Sequence, residues 1–321
     1  MTLLETIMLD LVIIGGSAAG CSAAIYAARR RLNFRIITQN IGGEVALSGA
    51  VNNWPGIIDI QGFELAEQFA KHARSYGVKI EEGWRVENII PTKNYHAVMA
   101  KNSAGKTEKI ETMAVIIGTG IHPKKIGIPG EDRLDHKGVT SCTVCDGPLY
   151  KNKVTVTIGA GNSGLESALM LAEIAKPAYI ISKFPDTPET QGGFPKGEKI
   201  LIDKLKAHKN IKIIYAAKTL EIIGETKVEG IKYEDAKGAH TLAVDGVMVH
   251  VGAIPNSNFA AAVALNKPGE IIIDIRCKTN VPGIFAAGDV TDIPFKQIGI
   301  AAGHGITAAL SAIEYINLWQ P

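Results

Sequence analysis

Two copies of one strand, turn and helix pattern constrain the fold of this chain more than any other feature of its sequence. In each copy a short predicted strand, Leu11–Ile14 or Val154–Ile158, meets a glycine-rich turn that opens into a helix. Such a turn points backbone N–H groups and the positive end of the helix at a pyrophosphate. The first turn, Gly15–Gly20, has Ser17 in place of the second glycine, whereas the second turn, Gly159–Gly164, is complete. The repeat predicts an α/β protein that holds two nucleotides.

The composition predicts a cytoplasmic protein of two domains. The chain has 321 residues, of which 34 are glycine and 46% are hydrophobic, enough to bury a substantial core. A net charge of +2 with scattered lysines and arginines gives no basic surface for nucleic acid. The start of the chain, Met1–Asp10, lacks the basic stretch of a signal peptide. The apolar run Leu9–Ile14 is far shorter than the roughly 20 residues that a membrane helix needs, so no membrane span is expected.

A Cys-x-x-Cys pair lies just before the second turn, where Cys142 and Cys145 are followed by Asp146. Cysteines at this spacing are within disulfide reach, and in a chain of alternating strands and helices they are typical of a redox dithiol. Asp146 supports this interpretation, because a carboxyl group that gives and takes a proton assists the departure of a thiolate. Half of a zinc site is the alternative. The sequence has no second pair, since Cys21 and Cys277 are isolated, and we expect both to be buried as small hydrophobic side chains.

Other segments carry signals of a cofactor site or of domain organisation. The apolar stretch that begins at Gly283 ends in Gly288-Asp289, and an aspartate at the carboxyl end of a strand suits the sugar-like hydroxyls of a cofactor. Capping of the next helix is the simpler alternative for Asp289. The glycines of Gly118–Gly120 are typical of a linker. Gly246–Gly252 is predicted to be the segment in which the chain returns to the first domain.

Together these motifs, with Asn53-Trp54-Pro55-Gly56, resemble the low-molecular-weight thioredoxin reductases in the same order over nearly the whole chain. The Cys-x-x-Cys-Asp-Gly element directly upstream of a nucleotide-binding turn is specific to that group. The resemblance implies a homodimer and an α/β fold of two Rossmann-like, three-layer ββα nucleotide-binding domains, the second inserted in the first. An FAD-binding domain of residues 1–120 and 247–321 would be interrupted by an NAD(P)-type domain of residues 121–246 that carries the dithiol.

The resemblance also implies roles for individual residues. Cys145 would be the sulfur nearer the flavin, Cys142 would attack the partner's disulfide, and Asp146 would be the acid and base. Lys296 replaces the usual arginine. Gln297 and Ile298 would face the flavin pyrimidine with a helix N-terminus, which favours the negative charge that accumulates on reduction. The implied FAD-binding residues are Gly15, Gly16, Ser17, Gly20, Gly42, Gly43, Asn53, Gly288, Asp289, Lys296, Gln297 and Ile298, and those for the second nucleotide are Gly159, Gly161, Asn162, Ser163, Gly164 and Lys183.

The implied activity is FAD-dependent reduction of thioredoxin or a thioredoxin-like protein through the Cys142/Cys145 dithiol. Supply of electrons to a peroxidase or another carrier is one alternative, and a flavin or zinc redox sensor is the non-enzyme alternative. Both the dithiol and the second nucleotide site must reach one flavin. The resemblance therefore implies a rotation of the inserted domain on connectors near Gly118–Gly120 and Asp245-Gly246.

The electron donor is left open by the sequence. After the second strand of the inserted domain, typical members carry an arginine cluster that binds the 2′-phosphate of NADPH. In the corresponding segment of this chain, Ser182–Thr190, only Lys183 is cationic, and the carboxylates of Asp186 and Glu189 would repel a phosphate. NADPH, NADH, ferredoxin and a deazaflavin are all open as donors, and we expect weak or absent selectivity for NADPH.

Overall fold

The structure is a computed structural model that describes residues 8–48 and 50–319, apart from the side chains of Ala50 and Cys145. Most of Met1–Asp10, the segment that lacks the basic stretch of a signal peptide, lies outside the described residues. The helices are α1 (Ala18–Arg29), α2 (Gly43–Leu47), α3 (Gly62–Ser75), α4 (Thr143–Asp146), α5 (Asn162–Ala172), α6 (Lys199–Ala207) and α7 (Ile298–Leu318), with 3-10 turns at Gly147–Tyr150, Pro188–Thr190 and Gly288–Val290. The strands are β1 (Leu9–Gly16), β2 (Phe34–Ile41), β3 (Ala50–Val51), β4 (Ile60–Gln61), β5 (Ile80–Glu82), β6 (Trp84–Pro91), β7 (His96–Asn102), β8 (Thr107–Ile117), β9 (Ile121–Pro123), β10 (Val139–Thr140), β11 (Thr155–Ile158), β12 (Ala178–Ile181), β13 (Ile211–Ile214), β14 (Lys218–Ile223), β15 (Gly230–Asp235), β16 (Gly238–Ala243), β17 (Gly246–Val249), β18 (Ala253–Pro255) and β19 (Ile284–Ala286).

The chain forms two compact units, and the second is inserted in the first. Met1–His122 and Ile254–Pro321 make up the first unit, and Pro123–Ala253 makes up the second. Each unit contains a parallel sheet with a glycine-rich turn leading from a strand into a helix, at β1 and α1 in the first and at β11 and α5 in the second. The predicted α/β class with two Rossmann-like domains is therefore confirmed. The assignment of FAD to the first unit and of NAD(P) to the second stays a prediction.

The first unit is built on a seven-stranded sheet in the order β5-β2-β1-β8-β7-β6, with β19 paired to β8. The strands around β1 are parallel, and the β6-β7-β8 part is antiparallel. Leu11 and Ile13 of β1 pack with the alanines of α1 and α7, whereas Val12 and Ile14 pack on the opposite face. This alternation is the periodicity of a strand buried on both faces. The turn that follows β1 lies at the carboxyl edge of the parallel strands, where ligands of α/β proteins bind.

The second unit contains a five-stranded parallel sheet in the order β10-β17-β11-β12-β13 and a three-stranded antiparallel sheet of β14, β15 and β16. Phe194 is fully buried in a cluster with Leu165 of α5 and Leu205 of α6. The segment before α6 is therefore fixed to the core of the unit. Among the described residues, no helix has both the length and the apolar character needed to cross a membrane.

One expectation about the chain path is wrong. Gly246–Gly252 does not return the chain to the first domain, because β17 lies between β10 and β11 in the sheet of the second unit. A short apolar run flanked by glycines fits any central parallel strand equally well, so its composition does not say which sheet it joins.

Candidate active site

The first unit contains a pocket of about 1000 Å³ at the carboxyl edge of its parallel strands. This volume is at the upper end of the range for cofactor sites. All but two of the predicted FAD-binding residues line this pocket, and the two exceptions are Gly20 and Gly42. The lining residues among them are Gly15, Gly16, Ser17, Gly43, Asn53, Gly288, Asp289, Lys296, Gln297 and Ile298. Gly20 lies buried in the first turn of α1, and the carbonyl of Gly42 accepts a hydrogen bond of 2.6 Å from Ser17 Oγ.

The turn after β1 has the shape that a pyrophosphate requires. Gly15 has a φ of +118°, and a Cβ atom there would lie 2.2 Å from the carbonyl oxygen of Gly118, so only glycine fits. α1 begins at Ala18 with Ser17 as its N-cap, and its first turn carries no acidic side chain. The free N–H groups and the positive end of the helix dipole are therefore available to an anionic ligand. On this observation the residues present fit FAD.

The opposite part of the pocket wall is formed around the start of α7. Gln297 is the N-cap of this helix, and its Oε1 accepts a hydrogen bond of 3.2 Å from Asn53 Nδ2. Lys296 Nζ forms an ion pair of 2.8 Å with Glu270. Burial raises the pKa of the Asp289 carboxyl, and the positive charge of Lys296 partly opposes this shift. The structure thus brings together residues that are more than 240 positions apart in sequence.

The turn of the second unit repeats the geometry of the first. Gly159 has a φ of +152°, and a Cβ atom there would lie 2.1 Å from the carbonyl oxygen of His250. α5 begins at Asn162, with no acidic residue in its first turn. Lys183 follows β12, and its Nζ lies 5.2 Å from the centre of the Phe184 ring.

The segment 185–198 folds back onto this second turn, which the sequence did not reveal. Lys196 forms an isolated parallel bridge with Gly161. Asn162 and Glu198 exchange two hydrogen bonds, from Glu198 N to Asn162 Oδ1 at 2.7 Å and from Asn162 Nδ2 to Glu198 Oε1 at 2.8 Å. A carboxylate of the chain itself therefore lies beside the start of α5. Asp186, expected to repel a phosphate, is paired with Lys206 at 2.9 Å.

The predicted redox pair lies at a very short helix, with Cys142 directly before α4 and Cys145 within it. Cys142 is disulfide-bonded, and the backbone of Cys145 lies in α4, although its side chain is outside the described part of the structure. Cys142 N–H donates to Thr140 Oγ1 at 3.0 Å, and Asp146 N–H donates to the Cys142 carbonyl at 3.1 Å. Cys21 and Cys277 are free and buried, as predicted. Burial raises the pKa of each of these two thiols to about 12, so both stay protonated at neutral pH.

A series of hydrogen-bonded polar side chains, three buried and one half-buried, connects α4 to the rest of the second unit. Thr143 Oγ1 lies 2.9 Å from His250 Nε2 and 2.6 Å from Ser167 Oγ. Ser167 Oγ lies 3.2 Å from Thr157 Oγ1. We call these four residues, from α4, β11, α5 and the end of β17, the Thr143 network. Burial lowers the pKa of His250 to about 4, so its imidazole is neutral at pH 7.

We expect the protein to lose stability as the pH falls from 6.5 towards about 4. In the unfolded chain a histidine binds its proton near the ordinary pKa of 6.5, whereas buried His250 does so only near 4. The stability from this group is therefore complete above pH 6.5 and is lost as the pH falls, by up to about 3 kcal/mol at ~1.36 kcal/mol per pKa unit. Urea unfolding of the wild type and His250→Gln between pH 7.5 and 4 measures it. The variant should show a shallower loss, and equal slopes for wild type and His250→Gln would contradict the assignment.

Several pocket and network residues were not singled out from the sequence. Glu44 follows Gly42-Gly43 and lines the pocket, and burial raises its pKa, with His122 opposing and Asp289 adding to the shift. Its position directly after two pocket glycines is a signal that reasoning from sequence could have used. The Thr143 network gave no such signal, because its members come from four separate elements.

Comparison with known proteins places the chain in a family. The sequence pattern of the pyridine nucleotide-disulphide oxidoreductases matches residues 9–313. One subunit of the alkyl hydroperoxide reductase of Staphylococcus aureus is 41% identical over 310 residues, which are 96% of this chain and 59% of that relative. The chain thus spans about three fifths of the length of this curated relative.

Two solved structures match over almost the full length of both chains. The thioredoxin reductase of Lactococcus lactis superposes with a TM-score of 0.83 at 30% identity, covering 97% of this chain and 99% of that one. The thioredoxin reductase of T. acidophilum has a TM-score of 0.80 at 38% identity, with the same coverage. The resemblance found in the motifs is confirmed, and the chain belongs to the pyridine nucleotide-disulphide oxidoreductase family of enzymes.

Proposed function

We propose that this protein is an FAD-dependent disulfide reductase that passes electrons from a donor, through the flavin and the Cys142/Cys145 dithiol, to thioredoxin or a thioredoxin-like protein. The observation that carries the proposal is the presence in one chain of a cofactor-sized pocket bordered by two helix N-termini and of a disulfide-bonded Cys142 next to a helix that ends in Asp146. When bound, FAD supplies the electron pair that reduces a disulfide.

In this proposal the first unit holds FAD. The N–H groups at the start of α1, after Gly15 and Gly16, bind the pyrophosphate. Asp289 accepts hydrogen bonds from the ribityl hydroxyls. The N-terminus of α7, at Gln297 and Ile298, favours negative charge on the flavin pyrimidine. Gly20 lies in the first turn of α1, and the Gly42 carbonyl accepts a hydrogen bond from Ser17 Oγ.

The dithiol chemistry uses both cysteines in turn. The Cys142 thiolate attacks the partner's disulfide, so that a mixed disulfide forms and one partner thiolate leaves. Cys145 then attacks the Cys142 sulfur, which restores the internal disulfide and releases the second partner thiolate. Asp146 gives and takes the proton that converts each leaving thiolate to a thiol and each attacking thiol to a thiolate.

The surroundings of the dithiol support a protein as the electron acceptor. Val144 and Leu149 are 44% and 66% exposed next to the cysteine pair, and exposed apolar side chains at a reactive group are typical of a protein-binding surface. A second candidate, supply of electrons to a peroxidase system, is favoured by the 41% identity to a component of an alkyl hydroperoxide reductase. The proposal includes a homodimer in the cytoplasm, and the exposed Ile58 and Ile275 of the first unit suit a contact between subunits.

A test that does not depend on the natural donor is anaerobic reduction of the bound flavin with dithionite, followed by mixing with oxidised thioredoxin. We expect the flavin to be reoxidised while thioredoxin thiols appear, one pair of thiols for each electron pair that dithionite delivered to the protein. Asp146→Asn should slow this step and leave the flavin content unchanged, since it removes the proton and keeps the shape. Flavin that stays reduced, or a colourless protein loaded with zinc, would contradict the proposal and favour a sensor.

A further inference from the structure

The helix that follows Cys142 and contains Cys145 is too short to hold its own conformation. α4 has four residues, whereas an isolated helix of fewer than about 12 residues is marginal in water. Its geometry must therefore come from side-chain contacts with the rest of the second unit. The Thr143 hydroxyl, from within the Cys-x-x-Cys sequence, supplies such a contact through His250 and Ser167.

We propose that His250 is a positioning residue for disulfide exchange, because its contact with Thr143 holds the cysteine pair in the geometry that favours the internal disulfide. The proposal rests on the disulfide chemistry proposed above and adds a residue that does not itself react. His250 directly follows β17, and its backbone N–H donates a hydrogen bond of 2.8 Å to the Ile158 carbonyl at the end of β11. The anchor is therefore fixed to the sheet.

The contact affects the redox equilibrium because a disulfide forms only when the two cysteines are close and correctly oriented. An anchored α4 keeps the two cysteines close together, so that each thiol meets the other at a high effective concentration. Without the anchor, α4 samples more conformations in the dithiol state, so the dithiol gains entropy and the disulfide becomes easier to reduce. Burial lowers the pKa of His250 to about 4, so its imidazole is uncharged at pH 7 and can both donate and accept hydrogen bonds. The contact with Thr143 therefore does not change in charge around pH 7.

The test measures the equilibrium of the Cys142 disulfide with mixtures of reduced and oxidised dithiothreitol, by alkylation and mass spectrometry of the flavin-loaded protein. We expect His250→Leu and Thr143→Val each to shift the equilibrium constant towards the dithiol by about tenfold, the limit for one hydrogen bond of ordinary strength, or about 30 mV. The double variant should shift it no further than Thr143→Val alone, since that substitution already removes the contact with His250. His250→Gln and Thr143→Ser keep a hydrogen-bonding group and should restore most of the wild-type equilibrium.

Thr219→Val and His240→Gln are the matched controls, because both residues lie in the second unit outside the Thr143 network, Thr219 in β14 and His240 in β16. They should leave the equilibrium unchanged. An unchanged equilibrium in both His250→Leu and Thr143→Val, with only a lowered melting temperature, would overturn the proposal, as would additive shifts in the double variant. A wild-type protein whose Cys142 disulfide resists dithiothreitol would instead contradict the proposed function, and this inference with it.

Discussion

Replacing Cys142 by serine should lower thioredoxin reduction by at least about a thousandfold, as expected for loss of a nucleophile, while the flavin stays bound. The sulfur of Cys142 is the group that we propose to attack the partner's disulfide, and serine has no thiolate at neutral pH. Cys145→Ser should abolish turnover to the same extent, because the mixed disulfide then has no internal thiol to resolve it. Steady-state reduction of thioredoxin with flavin reduced by dithionite measures both losses.

Absorption spectra separate the two cysteines. In Cys142→Ser the remaining Cys145 thiolate is electron-rich. If Cys145 is the sulfur nearer the flavin, as the family resemblance implies, this thiolate should produce a long-wavelength charge-transfer band with the oxidised flavin. Cys145→Ser should lack this band. Cys21→Ser and Cys277→Ser are the controls, because both thiols are buried and protonated, and both variants should keep the wild-type spectrum and rate. The reverse pattern in the two dithiol variants would exchange the roles of Cys142 and Cys145.

NADPH should bind on the order of a hundredfold more weakly than to a site with two bidentate arginines, since such contacts are together worth a few kcal/mol. The structure adds a second reason to the missing arginines. Asn162, at the start of α5, is engaged by Glu198, and the Glu198 carboxylate lies beside the turn that would receive a pyrophosphate. A dinucleotide must therefore displace this contact and tolerate the charge, and we expect little selectivity between NADPH and NADH.

Anaerobic titration of the flavin absorbance with NADPH, then NADH, then reduced ferredoxin measures this directly. Glu198→Gln removes the charge and keeps the size, so it should strengthen binding of both dinucleotides equally. Asp203→Asn, on the exposed part of α6 where Asp203 pairs with Lys199, is the charge-matched control. Rapid bleaching of the wild type by micromolar NADPH with NADH inert would show that another group has replaced the arginines.

The sequence predicted those parts of the fold whose pattern lies in one contiguous stretch of the chain. The strand, turn and helix copies at Gly15 and Gly159 were predicted, because glycine spacing and apolar runs are contiguous in sequence. The burial of Cys21 and Cys277 followed from residue type alone. The place of Gly246–Val249 between two other strands did not follow, since sheet order depends on pairings across the whole inserted unit.

The residues of the candidate site were likewise predicted where they belong to a contiguous motif and missed where they depend on long-range contacts. The pocket residues were predicted where they belong to glycine motifs or to the family pattern, and the contact between Asn53 and Gln297 shows that distant motifs meet at one wall. The contact of Glu198 with Asn162 and that of His250 with Thr143 were missed. Each joins side chains of ordinary type, 36 and 107 residues apart, and neither residue type nor spacing distinguishes them from surface residues.

The position of β17 also has a consequence for the order in which the protein is made. β10 directly precedes the dithiol, yet its pairing partner along the sheet is β17, with Val139 opposite Val247. On the ribosome, where chains emerge at about 5–20 residues per second, the cysteine pair is therefore synthesised seconds before the strand that completes its sheet and carries His250 at its end. During that interval the two thiols belong to an unfinished domain, so the controlled redox centre exists only once the last strand of the insertion has emerged.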